Sequence, residues 1–338
     1  MFTKTALPAI LLSSFVYFSS TAIAAPSADQ PTAAAAKQQV STHPLYFVTD
    51  REPVTKHGVT TFSNERSSGL HYGKVASLAD GTKFDESKMQ VFASENDFLK
   101  EIKSNNKSLA VFVHGYRKSF DGSIDFGLKM AEQMDRPLVV FAWPSKNSYF
   151  AYMKDECTAE WSAHQLSSLL GDLGENIGYR NIVLVSHSLG SRMMQWALRD
   201  LDSERRPAEK FAASLYYSPD VDRDTFIHNS ALLKRTCADS QVYMGHSDAR
   251  IRISRLLHGS PRLGVPVHDQ TETALFKDFN CETFLRSHKI PYAQVAESIK
   301  KYGGSLALTP IKQARIEEDP SRLDGTKLTV ERTQTTTP

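Results

Sequence analysis

The residue of this chain with the clearest potential for chemistry is a serine in the small-X-Ser-X-Gly pentapeptide 186–190. A short apolar run at 181–185 precedes it, and a helical pattern follows at once. This order predicts a strand, a sharp turn with Ser188 at its apex, and a helix. Such a turn lifts a hydroxyl beyond the end of the sheet, and small residues let strand and helix approach closely. The pattern nominates Ser188 as a nucleophile. The alternative is a polar turn residue that caps the helix.

A serine hydroxyl reacts only with a neighbouring base and a group that orients the base. For a nucleophile on a strand–turn–helix, the expected chain order is Ser, then Asp or Glu, then His. Asp248, in the turn after a predicted strand, is the favoured acid, and Asp220, which ends the preceding strand, is the alternative. His288, on a loop before the last predicted helix, is the favoured base, and His268 is its rival. Three further histidines are weaker alternatives: His187, His246 and His258.

Oxyanion donors are expected where the first buried strand ends. His114-Gly115-Tyr116 follows the apolar run 109–113. The backbone N–H groups of Tyr116 and Leu189 are the predicted donors, because fixed dipoles suit a charge that develops only in the transition state. His187 lies inside the turn and is expected to point away from the cleft.

The elements that must position these residues alternate along the chain. Strands are predicted at 44–50, 89–93, 109–113, 138–142, 181–185, 211–217 and 241–244, with a short last one at 265–268, and a loop at 64–69. Helical spacing is present at 119–134, 160–173 and 291–302. Strands alternating with helices predict an α/β fold, with a mostly parallel sheet and helices on both faces. Ligands of such sheets bind beyond the carboxyl ends of the strands.

Several short motifs together resemble the α/β-hydrolase family, more narrowly a poorly characterised bacterial branch labelled esterase/lipase-like. The motifs are Thr49-Asp50-Arg51, 112–116, 141–145, 186–190, Ser218-Pro219-Asp220, 248–255, His258-Gly259, 261–264 and Ser287-His288. The resemblance covers about residues 44–300. It implies a single α/β-hydrolase domain and a triad of Ser188, Asp248 and His288, in agreement with the positional argument.

Composition divides the chain into four segments. Residues 1–24 have the positive start, apolar run and small-X-small end of a signal peptide. Residues 25–42 are expected to be a linker, 43–310 the folded domain, and 311–338 a flexible polar tail. The chain is therefore expected to be exported, to the periplasm or outside the cell, without a transmembrane segment in its mature form; an uncleaved anchor is the alternative. The formal charge of +2 gives no indication of a nucleic-acid partner.

The three cysteines, Cys157, Cys237 and Cys281, form no C-x-x-C pair, so the sequence implies neither a zinc nor a redox motif. A Cys237–Cys281 disulfide is weakly favoured, and three buried thiols are the alternative. No metal spacing or phosphate loop is present, so no cofactor is expected.

Two features concern the substrate. Aromatic residues at the end of the second buried strand could line an acyl pocket or a small lid, or simply pack in the core: Trp143, Tyr149, Phe150, Tyr152 and Trp161. Four arginines could attract an anionic substrate or form a solvated face: Arg250, Arg252, Arg255 and Arg262.

Three functions are consistent with these residues. The favoured one is an exported serine hydrolase that cleaves a small carboxylic ester or related acyl substrate. A catalytically silent α/β-hydrolase-like binding module and an acyltransferase with the same triad are the alternatives. An acyltransferase with this triad would differ from a hydrolase only in how well its site excludes water.

Overall fold

The computed structural model describes residues 44–56, 58–76, 84–105, 108–266, 279–283 and 288–302. Nine strands are present in these residues: β1 Leu45–Lys56, β2 Val59–Val75, β3 Met89–Val91, β4 Leu109–Val113, β5 Leu138–Phe141, β6 Ile182–His187, β7 Ala213–Tyr217, β8 Ser240–Met244 and β9 Asn280–Thr283. Eight α-helices accompany them: α1 Glu95–Asn105, α2 Phe120–Ala131, α3 Tyr152–Ile177, α4 Leu189–Glu204, α5 Arg223–His228, α6 Ser230–Thr236, α7 Ala249–His258 and α8 Tyr292–Lys300.

The nine strands form one sheet in the order β3-β2-β1-β5-β4-β6-β7-β8-β9. The pairings of β1 with β2 and of β2 with β3 are antiparallel. The six remaining pairings, from β1·β5 to β8·β9, are parallel. The carboxyl ends of the parallel strands therefore meet at one edge, where the loops that carry the candidate residues begin.

The side chains of the central strands are buried on both sides, so both faces of the sheet are apolar. On β4, Ala110 and Phe112 pack on one face with α2 and α8. Leu109, Val111 and Val113 pack on the other face with α1, α3 and α4. The near-continuous apolar runs that predicted buried parallel strands therefore have helices on both sides, as expected.

Two features of the sheet differ from the sequence-based expectation. Residues 64–69 are expected to be a loop, whereas they belong to β2, and Arg66 among them pairs with Arg51 of β1. Polar residues are tolerated there because this hairpin lies toward the edge of the sheet, where part of each strand is exposed. The last strand is β9, at 280–283, which no pattern predicted. Of the strand predicted at 265–268, residue 265 is a bend and 266 belongs to no regular element, so the prediction is wrong there, and 267–268 lie outside the described residues.

The expected disulfide is wrong, since no disulfide joins Cys237 to Cys281 or to Cys157. Cys157 is exposed and Cys237 is buried, so the alternative of three buried thiols is not met either. Burial raises the pKa of the Cys237 thiol to about 11, so this thiol stays protonated. Within the described ranges, no helix is long and apolar enough to cross a membrane. The predicted signal peptide, linker and tail lie outside those ranges.

Candidate active site

Ser188 lies at the tip of a tight turn between β6 and α4. Its backbone has φ 54° and ψ −126°, a region that residues with a side chain rarely adopt. The turn is held from both sides: the Ser188 N–H donates to the carbonyl of Tyr217, and the Ser188 carbonyl accepts from the N–H of Asp220. The predicted strand–turn–helix is therefore present, with a strained backbone at its apex.

Two glycines allow this turn to contact the loop after β4. A Cβ on Gly115 would lie 2.9 Å from the Cβ of Ser188, and one on Gly190 would lie 2.5 Å from the carbonyl oxygen of His114. A side chain at either position would force the facing backbone to move. The loop that carries Tyr116 and the turn that carries Ser188 and Leu189 are consequently in direct contact. Leu189 is the first residue of α4, so its N–H has no acceptor within the helix.

His114 and Trp143 anchor the loop that carries Tyr116. The indole N–H of Trp143 donates to the carbonyl of His114 at 2.8 Å, and the two rings stack at 5.2 Å. Burial holds the pKa of His114 well below its usual range, so the ring is neutral. Its Nδ1 lies 2.7 Å from the carbonyl of Gly115 and donates to it. His114 thus supports the loop.

Asp248 and His288 are brought together by the start of α7 and the loop before α8. The Nδ1 of His288 lies 2.8 Å from Oδ2 of Asp248, whose side chain is fully buried. The other carboxylate oxygen accepts from the backbone N–H groups of Arg250 and Ile251 and so caps α7. Burial alone would raise the pKa of Asp248, but the hydrogen bond and positive charge of His288 outweigh it and lower the pKa.

His187 links His288 to the turn of Ser188. The Nε2 of His187 lies 2.9 Å from the backbone carbonyl of His288 and donates to it, and the ring centroids are 4.7 Å apart. Burial, followed by the charge of His288, lowers the pKa of His187 to about 3. The ring is therefore neutral at ordinary pH. Its position inside the pentapeptide was the only sequence signal, and it had suggested a ring pointing away from the cleft.

Asp220, the alternative acid, belongs to a separate polar cluster. Its carboxylate accepts from the hydroxyls of Tyr152 and, at 2.6 Å, Ser254, and lies 3.4 Å from Nε of Arg262. Burial and the Asp220 charge raise the pKa of Tyr152, so that hydroxyl remains a donor. Among described residues, the carboxylate that contacts His288 is Asp248 and not Asp220.

The Asp220 cluster also holds His258, one of the weaker alternatives for the base. The Nε2 of His258 lies 2.7 Å from Glu156, and Nδ1 lies 2.8 Å from the carbonyl of Ser254. Glu156 also receives a hydrogen bond from Arg192 on α4. This places His258 beside α3 and away from Asp248. His246 is exposed, and His268 lies outside the described residues.

Sequence reasoning gave no role to two buried charged residues that hold the loops. The guanidinium of Arg51 donates to the carbonyls of Ala142, Trp143 and Lys118, and so ties β1 to two site loops. Asp155 accepts from the hydroxyl of Ser145 at 2.6 Å and from the N–H of Lys146 at 2.9 Å. The sequence motifs 49–51 and 143–145 contain Arg51 and Ser145, the partner of Asp155. Only contacts between distant parts of the chain show that these residues hold the loops.

The aromatic residues that could line a pocket or lid, or pack in the core, are dispersed. Trp143 is fully buried, Tyr152 points its hydroxyl at Asp220, and Phe150 is fully exposed. Trp161 receives the guanidinium of Arg66 over its ring at 5.4 Å. The four arginines also separate: Arg262 is buried beside Asp220, whereas the three on α7 are exposed. No group of three or more metal-ligating side chains occurs in the part of the chain that the structure describes.

Comparison with known proteins yields one informative match. The family model for "Alpha/beta hydrolase of unknown function (DUF900)" matches residues 90–297, more than half of the chain. That range contains Ser188, Asp220, Asp248 and His288. A search of curated proteins finds no match.

Solved structures with a similar fold are distant. EstE5-PMSF is 8% identical, with 75% of this chain and 85% of that chain covered and a TM-score of 0.37. The hyperthermophilic esterase from Pyrobaculum calidifontis is 12% identical, with 78% and 88% covered and a TM-score of 0.35. The Est2 esterase from Thermogutta terrifontis, butyrate bound, is 12% identical, with 59% and 84% covered and a TM-score of 0.33. These likenesses are too loose to carry an argument about activity.

The predicted fold class is confirmed by the family match and by the mostly parallel sheet with helices on both faces. The family places the chain among hydrolases and assigns no substrate to it. The chain belongs to the family of alpha/beta hydrolases of unknown function, DUF900.

Proposed function

We propose that this protein is a serine hydrolase that cleaves a small carboxylic ester or a related acyl compound. The observation that carries the proposal is the 2.8 Å contact between His288 and Asp248, on loops that meet the strained turn of Ser188 through His187. A serine in such a turn, a histidine and a buried carboxylate are the parts that nucleophilic acyl transfer requires.

The proposed reaction begins with attack of the Ser188 hydroxyl on the substrate carbonyl. His288 takes the hydroxyl proton at Nε2, because Nδ1 carries the hydrogen that is donated to Asp248. The negative oxygen is stabilised by the N–H groups of Tyr116 and Leu189. His288 then returns the proton to the leaving alcohol, and water cleaves the acyl-serine by the same steps.

The arrangement of Asp248 supports its role as the orienting acid. Its low pKa keeps it ionised while His288 gains a proton, so the imidazolium is stabilised as it forms. Its second oxygen is fixed by two backbone N–H groups of α7, which prevents the carboxylate from rotating away. We therefore favour Asp248 over Asp220, whose carboxylate is already occupied by other donors.

The proposal includes export from the cytoplasm. It rests on the pattern of residues 1–24 and on the polar stretch after it. In the proposed organisation, 25–42 is a linker, 43–310 is the catalytic domain and 311–338 is a polar tail. Cell fractionation with intact-mass analysis tests this: a chain in the bacterial periplasm or medium that begins at Ala25 is expected. An exported chain that retains residues 1–24 would show an uncleaved anchor, and a chain confined to the cytoplasm contradicts export.

The deciding experiment is covalent labelling with a fluorophosphonate probe, followed by peptide mapping. This probe tests nucleophile reactivity without a guess about the substrate. We expect one adduct, at Ser188, in the wild type. The matched control is Ser191→Ala, which removes a buried hydroxyl three residues away and keeps the turn.

The variant Ser188→Ala is expected to keep its fold, to take up no probe and to hydrolyse no member of a chain-length series of chromogenic esters. If wild type fails to label while folded, the chain is a binding module and the proposal is wrong. Equal ester hydrolysis by wild type and Ser188→Ala would also contradict it.

A further inference from the structure

Exposed apolar side chains are concentrated on two adjoining segments. Among described residues, six large apolar side chains are exposed. One, Val91, lies on the edge strand β3. The other five lie in the turn just before α3, at the start of α3 or on α7 and are called the α7 patch below: Phe150, Met153, Ile253, Leu256 and Leu257. Such a concentration on a water-soluble surface indicates a site of interaction.

Contacts on the inner side of the two segments hold them together. Tyr152 lies 3.3 Å from the hydroxyl of Ser254, and its ring is 5.9 Å from that of His258. His258 also contacts Glu156, one turn further along α3. The start of α3 and the helix α7 are therefore neighbours, which brings together the two segments that carry the exposed apolar side chains.

The helix α7 has the charge pattern of an interfacial helix. At 100° per residue, its buried residues Ile251 and Ser254 face the body of the protein. Leu256, Ile253 and Leu257 then form a stripe on the opposite side, with Leu256 82% exposed. Arginines flank this stripe on both edges: Arg252 and Arg255 on one, Arg250 on the other. No acidic residue occurs between Ala249 and His258.

We propose that the α7 patch docks this protein on an anionic phospholipid surface. An apolar stripe bordered by arginines places leucines at the acyl boundary and guanidinium groups at the level of the phosphates. A second copy of the chain is a poor occupant, because self-association would bring two sets of arginines together. The docking does not depend on the reactivity of Ser188, and it goes beyond the proposed function.

Docking would also place the candidate active site next to the surface. Asp248 is both the cap of α7 and the partner of His288, so the helix begins at the site. Tyr152, between Phe150 and Met153 in sequence, packs its ring 5.2 Å from that of Tyr116. The patch therefore borders the side of the molecule where the candidate residues meet.

The test is co-flotation of the full chain with vesicles of phosphatidylcholine, with or without phosphatidylglycerol. We expect phosphatidylglycerol to increase binding and salt to weaken this increase. Leu256→Glu/Leu257→Glu is expected to lower the partition coefficient more than tenfold. Replacing Arg250, Arg252 and Arg255 by Gln is expected to lower it by about fivefold for each arginine.

Matched controls separate the patch from general charge and hydrophobicity. Gln at Arg180, Arg199 and Arg235 changes the net charge equally, but these arginines are paired with acidic residues elsewhere. Val91→Glu changes an exposed apolar residue at the far edge of the sheet. Both controls are expected to bind as wild type does. The apolar N-terminal residues are common to all variants and cannot produce a difference between them.

Hydrogen exchange on vesicles provides a second measurement, with slower exchange expected in peptides from α7. The proposal is overturned if wild type ignores phosphatidylglycerol, if the patch variants bind like wild type, or if α7 exchanges equally with and without vesicles. It is also overturned if the patch variants only dissociate a dimer in sedimentation, since the patch would then be a contact between copies.

Discussion

The ring nitrogen Nδ1 of His288 lies 2.8 Å from Oδ2 of Asp248, although the two residues are 40 positions apart in the chain. The carboxylate is fully buried and also caps α7, so its position is set by a helix rather than by a loop alone. The histidine is held from its other side, where its carbonyl accepts a hydrogen bond from His187.

The two candidate acids are expected to respond differently to the same substitution. Asp248→Asn keeps the shape and the helix cap but loses the charge that stabilises a protonated His288. We expect kcat to fall on the order of 10⁴-fold. Asp220→Asn disturbs the cluster of Tyr152, Ser254 and Arg262, and we expect less than a tenfold loss. Ester hydrolysis rates and urea midpoints of both variants provide the measurement. A folded Asp220→Asn as inactive as Asp248→Asn would show that Asp220 is the acid.

The sequence nominated both acids and favoured Asp248 by its position in the chain, but it could not show which carboxylate contacts His288. Asp220 and Asp248 each follow a buried parallel strand, so periodicity places both at the same edge of the sheet. The choice depends on which carboxylate faces the loop that carries His288, a contact between distant parts of the chain. The same limit explains why no role was found for Arg51, whose acceptors lie up to 92 residues away.

Patterns of neighbouring residues predicted the strands and helices that depend on the nearby sequence. The central strands and α2, α4 and α8 were predictable because apolar runs and helical spacing directly reflect burial. The outer hairpin was not, because β2 is polar over much of its length and exposed on part of it. The disulfide was inferred from cysteine positions in the chain, which do not determine distances between sulfur atoms.

His187 is expected to act as a positioning residue for His288. His187→Phe retains a ring of similar size but removes the hydrogen bond to the His288 carbonyl. Without this hydrogen bond the imidazole of His288 is held less closely in place beside Ser188, so we expect a roughly tenfold fall in kcat with KM unchanged. Because the pKa of His187 is about 3, the pH–rate profile between pH 5 and 9 should keep its shape. Rates across that range test both points, and a shifted limb in the variant would show that His187 affects protonation at the site and is not only a positioning residue.

The backbone conformation of Ser188 is expected to lower the free energy of unfolding. Its backbone at φ 54° suits glycine, and a side chain there costs about 1–3 kcal/mol. Glycine adds unfolded-state freedom that offsets about 0.4–1 kcal/mol. We therefore expect Ser188→Gly to be more stable than Ser188→Ala by about 1 kcal/mol, while neither variant takes up the fluorophosphonate probe. Urea unfolding of the two inactive variants is the measurement. Equal midpoints would show that the turn carries no strain.

Asp50 is expected to make stability depend on pH. It lies on β1 at the first of two register shifts of the hairpin, between Thr49 and Arg51, and is fully buried. Burial raises its pKa to about 7 in the folded protein, against an ordinary value of 3.8, despite the Ser162 hydroxyl and the charges of Arg51 and Arg66. Between these two values the folded state keeps a proton that the unfolded state has lost. Stability from this group is thus fully present below about pH 4, falls as the pH rises to 7, and is then constant.

The variant Asp50→Asn has no proton to release and should lose this dependence. The pKa difference corresponds to about 4 kcal/mol between the two limits. We expect the free energy of unfolding of wild type to decline from pH 4.5 to pH 8 by a few kcal/mol more than that of Asp50→Asn. Asp135→Asn, at an exposed position, is the control and should follow wild type. Parallel pH profiles for wild type and Asp50→Asn in urea unfolding would mean that Asp50 is ionised in the folded protein across this range.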